Sequence, residues 1–278
     1  MIFSHIQTKP LLALRGGKIQ TVMISADLNR TTQPLQLDSD GLHLPDDTLL
    51  NWAQIKKISK SENNCFEAFD GEIEKVTAFS EETNRYYSLY PTKSAPTMLV
   101  AGFPMHRIKN TNPHHDTLEK IKAIKPVVGN CLDTCTGLGY TAIQMGLSAE
   151  KVTTIELDPG AQEICRANPW SRDLFENPKI NQLIGDCYDL IPTFGKGEFG
   201  RIIHDPPTFS LGGHLYSRDF YAELHRILNR DGKLFHYIGD PDSRSGRNTT
   251  RGVIERLTAV GFKRITRRPR AFGVLARK

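Results

Sequence analysis

From Asp116 to the end of the chain, short apolar runs alternate with stretches of helical periodicity, and this alternation constrains the fold more than any other feature of the 278 residues. It predicts a mostly parallel sheet with helices on both faces, because consecutive parallel strands need a crossover that a helix supplies. Strands are expected at 127–133, 152–156, 180–185, 201–205, 233–238, 263–266 and 272–276. Helices are expected at 140–147, 159–167, 218–228 and 249–260, with Gly232 and Gly261 ending the last two. The final two strands lie close enough in sequence to form an antiparallel hairpin.

Residues 1–97 are punctuated differently, as a small β-rich unit of α+β type. A strand is read at 18–28, a hairpin at 35–44 around Ser39-Asp40-Gly41, and a helix at 46–58 capped by Asp46 or Asp47. Further extended runs follow at 65–69, 73–79 and 85–90. Pro91, Pro96, Pro104 and Pro113 mark a connecting segment, placed at 98–115. The expectation is two domains: a substrate-recognising 1–97 and an α/β domain at 116–278.

Composition narrows the class. With 38% hydrophobic and 24% charged residues the chain suits a globular protein with a real core. No run approaches the roughly 20 apolar residues that span a bilayer, and His5, Lys9 and Pro10 interrupt the first segment, so a cytoplasmic protein is expected. Five cysteines without a CxxC spacing argue against a disulfide framework and a zinc ribbon, and they are read as reduced thiols. His106, His114 and His115 lack an accompanying Cys or carboxylate pattern, so no metal site is assigned. Charge is uneven: residues 244–278 hold eleven Lys or Arg and one acid, a local +10 within a total of +5. Such a segment attracts a polyanion, RNA being the candidate, or is a solvated basic helix and tail.

Candidate chemistry gathers at the strand ends. Asp133 closes the first strand of the α/β half, Glu156 the second, Asp186 follows the third and Asp205 the fourth. Ligands of open α/β sheets bind at this carboxyl edge. Between Asp133 and the next helix lies a loop with Gly137 and Gly139, which permits a tight turn and close ligand approach. Gly137-x-Gly139-x-x-Ala142 alone also fits a dinucleotide fingerprint, with Glu156 on a ribose. Four acids in series suit a cationic ligand with an amine and two ribose hydroxyls better than an anionic pyrophosphate.

Taken together, these motifs resemble the class I S-adenosylmethionine-dependent methyltransferases over about residues 116–278. The resemblance implies a Rossmann-like sheet that binds S-adenosyl-L-methionine: Asp133, Gly137 and Gly139 at the methionine part, Glu156 on the ribose, Asp186 and the backbone of Cys187 at adenine. Cys135 stands where the common pattern has glycine. The segment Asp205-Pro206-Pro207-Thr208-Phe209 resembles the Asp/Asn-Pro-Pro-aromatic motif of amino-group methyltransferases. Thr208 stands at the motif's aromatic position, with Phe209 one place later; by the resemblance Asp205 and the Pro206 carbonyl would align an N–H, with Pro207 in the same catalytic segment, and Phe209 would stack on a planar acceptor. As a whole the chain is similar to uncharacterised predicted methyltransferases described mainly from archaea.

These resemblances imply methyl transfer to a nitrogen, with a nucleobase in RNA as the expected acceptor. Arg244 and Arg247, after the fifth strand, are candidate phosphate contacts, or arginines of a helix-capping loop. Three alternatives stand beside this reading. One is an aminopropyltransferase using decarboxylated S-adenosylmethionine and a small polyamine, whose glycine-rich first motif and active-site loop are not clearly reproduced. The others are a non-catalytic cofactor-binding module and an NAD-dependent enzyme.

Overall fold

The computed structural model describes residues 1–278 and divides them into two compact units. The first comprises Met1–His114 with Gly160–Arg172, the second His115–Pro159 with Asp173–Lys278.

The first unit opens with β1 (Ile2–Phe3) and α1 (His5–Thr8), followed by β2 (Gln20–Ile24), β3 (Gln33–Leu37), β4 (Gly41–His43), β5 (Leu49–Asn51) and α2 (Trp52–Ser59). It continues through β6 (Phe66–Phe69), β7 (Glu72–Lys75), β8 (Thr77–Ser80), β9 (Arg85–Tyr90), β10 (Thr97–Val100) and β11 (Phe103–Pro104). These strands form three small antiparallel sheets, ordered β2-β3-β4-β5, β1-β6-β7 and β11-β10-β9-β8. Phe3, Leu37, Leu42, Leu50, Ile55, Ile58 and Phe66 share its buried core.

The helix expected over 46–58 is shorter. Leu49 and Leu50 belong to a strand, and Asn51 caps α2, its side chain accepting the N–H groups of Ala53 and Gln54. The run read at 73–79 breaks at Val76, where β7 and β8 part into different sheets. The segment read as a connection carries β11 and the last residues of β10. Two hydrogen bonds explain why 160–172 goes with this unit: Trp170 Nε1 donates to the Leu28 carbonyl at 2.9 Å, and Arg30 to the Pro169 carbonyl at 2.9 Å.

In the second unit α3 (Pro113–Ile124) precedes a seven-stranded sheet. Its elements are β12 (Asn130–Asp133), α4 (Tyr140–Gly146), β13 (Lys151–Glu156), β14 (Ile180–Ile184), β15 (Phe199–His204), β16 (Leu228–Tyr237), β17 (Lys263–Arg268) and β18 (Gly273–Arg277). The helices α6 (Arg172–Glu176), α7 (Cys187–Leu190), α8 (Arg218–Ile227) and α9 (Arg244–Ala259) fall between strands, as does α5 (Pro159–Ala167), which from Gly160 onward belongs to the first unit. Strand order is β14-β13-β12-β15-β16-β18-β17, the first five parallel and β18 antiparallel to both neighbours. The architecture is therefore α/β and Rossmann-like, with the C-terminal hairpin expected from the sequence.

Every residue of β15 is buried, as an interior parallel strand covered on both faces requires. Phe220, Tyr221, Leu224 and Ile227 give α8 an apolar stripe that packs with Ile202, Leu234, Val253 and Leu257. Each such side chain contributes about 1.5–3 kcal/mol on burial. The outward order reverses between β12 and β15, so the ends of these two strands open the crevice where ligands of such sheets bind. No helix is long and apolar enough to cross a membrane.

Candidate active site

Asp133, at the end of β12, is fully buried. Its Oδ2 accepts hydrogen bonds from the Thr141 hydroxyl at 3.0 Å and the Thr154 hydroxyl at 3.1 Å, while Oδ1 has no partner. Thr136 in turn donates to Thr154 at 2.6 Å, since the Thr154 proton is already spent on Asp133. Burial pushes the Asp133 carboxyl up to about 8, against the two hydroxyl donors.

The glycine loop is held mainly by the neighbouring strands. Thr134 N–H donates to the Ile203 carbonyl, Thr136 N–H to Ile155 and Gly139 N–H to Thr136. Gly137 N–H donates to Glu156 Oε2 at 2.8 Å. Gly139 has a φ of +74°, and a Cβ there would meet Leu174 at 2.7 Å, so the loop's approach to its neighbour depends on glycine. Glu156 Oε1 takes the Asp158 N–H at 3.1 Å. Burial lifts the Glu156 carboxyl to about 7 in spite of these amides. Asp186 caps α7, accepting from Tyr188 N–H at 2.8 Å, and its second oxygen lies 3.6 Å from His214 Nε2. Cys187 is buried beneath this turn.

Asp205 follows β15 directly. Its Oδ2 accepts from Lys120 Nζ at 2.5 Å, and the same ammonium lies 3.0 Å from Asp116 Oδ2 and 4.5 Å from the centre of the Tyr237 ring. Burial would favour the neutral amine of Lys120, but the charges of Asp205 and Asp116 overrule it and hold the ammonium protonated. For Asp205 burial raises the carboxyl, and Lys120 pulls it back part of the way. Pro206 is buried and Pro207 exposed. The Pro207 carbonyl accepts from the Tyr216 hydroxyl at 3.0 Å, and the half-exposed Phe209 ring meets Tyr216 edge-on, centroids 5.3 Å apart.

Beneath this turn lies a buried imidazole pair. His204 Nε2 donates to the Leu215 carbonyl at 3.0 Å, which makes Nδ1 the acceptor of the Thr134 hydroxyl at 2.7 Å. His236, its register partner on β16, meets the Tyr221 hydroxyl at 2.8 Å. Burial drives His204 down to about 3 and His236 well below the usual range, so both are neutral struts between the glycine loop, β15 and the segment after it.

All sequence-predicted cofactor and catalytic residues thus lie along the carboxyl edge of β12–β15. Arg247 donates to the Asp242 carbonyl, and the Asp240–Ser243 turn caps α9, which starts at Arg244 rather than at 249. Lys120, Asp116, Tyr237 and the two histidines were not singled out beforehand. Asp116 and Lys120 do carry the i, i+4 signal of a helical ion pair, but nothing local ties them to Asp205. The five cysteines are free, and Cys135 is raised by its hydrogen bond to Cys187 and by burial, which removes it as a thiolate nucleophile.

No family model matches the chain. An uncharacterised protein of Methanocaldococcus jannaschii is 39% identical over 284 residues, covering 100% of this chain and 96% of its own length. The chain belongs to the family of that archaeal protein. A second relative, polyamine aminopropyltransferase 2 of Streptomyces coelicolor, is 27% identical over 114 residues, or 39% of this chain and 21% of that protein. Among solved structures, spermidine synthase in complex with the transition-state analogue AdoDATO superposes with a TM-score of 0.58 at 19% identity, covering 77% of this chain and 79% of that one. That likeness establishes the fold of the sheet and its flanking elements.

Proposed function

We propose that this family member transfers an alkyl group from a sulfonium nucleoside of the S-adenosylmethionine type to an amine nitrogen, and that the group is the aminopropyl arm of decarboxylated S-adenosylmethionine. The acceptor is then a polyamine. One observation carries this choice over methyl transfer: the N–H groups of Thr134, Thr136, Gly137 and Gly139 already donate to acceptors of the protein, while Asp133 offers a buried carboxylate oxygen without a partner. The carboxylate of intact S-adenosylmethionine needs donors, and the loop has few left. An ammonium without a neighbouring carboxylate suits Asp133. The aminopropyltransferase and spermidine synthase relatives support the same choice.

The sulfonium donor supplies an electrophilic carbon and a neutral thioether leaving group. The chain's residues position rather than activate. In this reading Asp133 takes the donor's ammonium, Glu156 accepts its ribose hydroxyls, and Asp186 takes the adenine amino group. Asp205 accepts an N–H of the acceptor, directing the nitrogen lone pair at the carbon and drawing off positive charge as the C–N bond forms.

A second reading, methyl transfer to a nucleobase nitrogen, draws on the Asp205-Pro206-Pro207 turn, the half-exposed Phe209 and the exposed Lys263, Arg264, Arg267 and Arg268 on β17. Incubation with each donor, against polyamines and unmodified RNA, separates the two by product mass. Aminopropylated polyamine with the decarboxylated donor is expected. Methylated RNA with S-adenosylmethionine, and no aminopropyl product, would overturn the first reading in favour of the second.

A further inference from the structure

Lys120 is the one lysine buried between two carboxylates in the second unit, and of the two only Asp116 is near it in sequence. A buried ammonium is costly unless each of its protons is used. Here one proton is donated to Asp205 Oδ2, Asp116 Oδ2 lies 3.0 Å away as an ion-pair partner, and the Tyr237 ring centre lies 4.5 Å from the ion. The Asp205 side chain stays 21% exposed even so, and only Oδ2 has a partner. One oxygen is clamped and the other is left without a partner in a side chain that is still partly exposed.

We infer that Lys120 is a positioning residue for the acceptor site: it clamps Oδ2 of Asp205, fixes the plane of the carboxylate, and leaves Oδ1 as the single acceptor for a substrate N–H. This rests on the proposed alkyl transfer to nitrogen and names a property of the acceptor. An uncharged amine meets only a hydrogen-bond acceptor. A nitrogen that donates one N–H to Oδ1 has a lone pair for attack only as the neutral amine, so an alkylammonium gives a proton to solvent before the C–N bond forms.

The charged and titratable groups around Asp205 come from every element packed against it: Lys120 and Asp116 from α3, Tyr237 from β16, Asp133 from β12 and Tyr216 after the proline turn. Only Lys120 opposes the protonation of Asp205. Removing it should move the Asp205 titration to higher pH by about one to three pH units, the usual effect of an adjacent opposite charge. Removing Asp116 instead should move it to lower pH.

The test is a carbon-13 titration of the Asp205 carboxyl in the whole chain, assigned with Asp205→Asn, in wild type, Lys120→Met and Asp116→Asn. An upward midpoint in Lys120→Met and a downward one in Asp116→Asn are expected. An unchanged midpoint in Lys120→Met would overturn the inference; if that variant does not fold, an unchanged or raised midpoint in Asp116→Asn does so. The acid limb of kcat/KM should follow the same midpoints, which a merely structural lysine would not move. Failure of donor binding or turnover in wild type counts against the proposed function alone, since the carboxyl titration is read without substrate.

Discussion

Asp133 is held in the fold at a cost: a carboxyl group with one oxygen fully buried and unpaired is stable there mainly when protonated. A donor ammonium reverses that balance, so binding should expel a proton near neutral pH. Asp133→Asn keeps an oxygen for Thr141 and Thr154 but loses the charge. We expect it to weaken donor binding tenfold or more, in line with about 1.5–3 kcal/mol for a charge-assisted hydrogen bond, with proton release abolished. Calorimetry in buffers of different ionisation enthalpy measures both. Binding unchanged in affinity and proton count would remove Asp133 from the donor site. The acids themselves were legible in the sequence, because strand-end position is a local property. Lys120 was not, since its partner Asp205 lies 85 positions away and only the packing of α3 brings them together.

At the level of elements, the turn from β12 into α4 depends on backbone that glycine alone adopts without strain. Gly139→Ala would place a methyl group against Leu174 in a left-handed conformation, a strain of about 1–2 kcal/mol before Leu174 moves. A lower melting temperature together with weaker donor binding is expected, because the same loop holds Glu156 through Gly137. A variant with unchanged melting would show that the loop relaxes freely. Helix periodicity found α5 and α8 well. It missed the first turn of α9, where Arg244, Ser245 and Gly246 give no apolar signal, and where Gly246 is needed because a Cβ would lie 1.8 Å from the Asp240 carbonyl oxygen. It also ran a helix through Leu49 and Leu50, since a short strand leading into a capped helix has the same apolar spacing as an extra turn.

Over the whole molecule the shifted groups predict an uneven stability profile. The neutral histidines His204 and His236, depressed from 6.5, favour the fold above that value and lose their contribution as pH falls below it. Asp133 and Glu156 work in the other direction: raised from 3.8 to about 8 and from 4.5 to about 7, they favour the fold at low pH and lose that contribution as pH rises through those windows. Between roughly 4.5 and 6.5 the two effects offset each other. Above 6.5 the carboxyls act alone, and stability should decline by on the order of 2 kcal/mol by pH 8. Melting temperature against pH for the ligand-free protein checks this, and a rise over that interval would contradict it. Alternating helix and strand made the α/β unit readable from Asp116 onward. The first unit was less so, because its short strands pair across three sheets and one stretch of its chain comes from much later. That loan, Gly160–Arg172, means no single cut in the gene releases either unit whole. A fragment ending near His114 would lack the anchor that Trp170 gives Leu28.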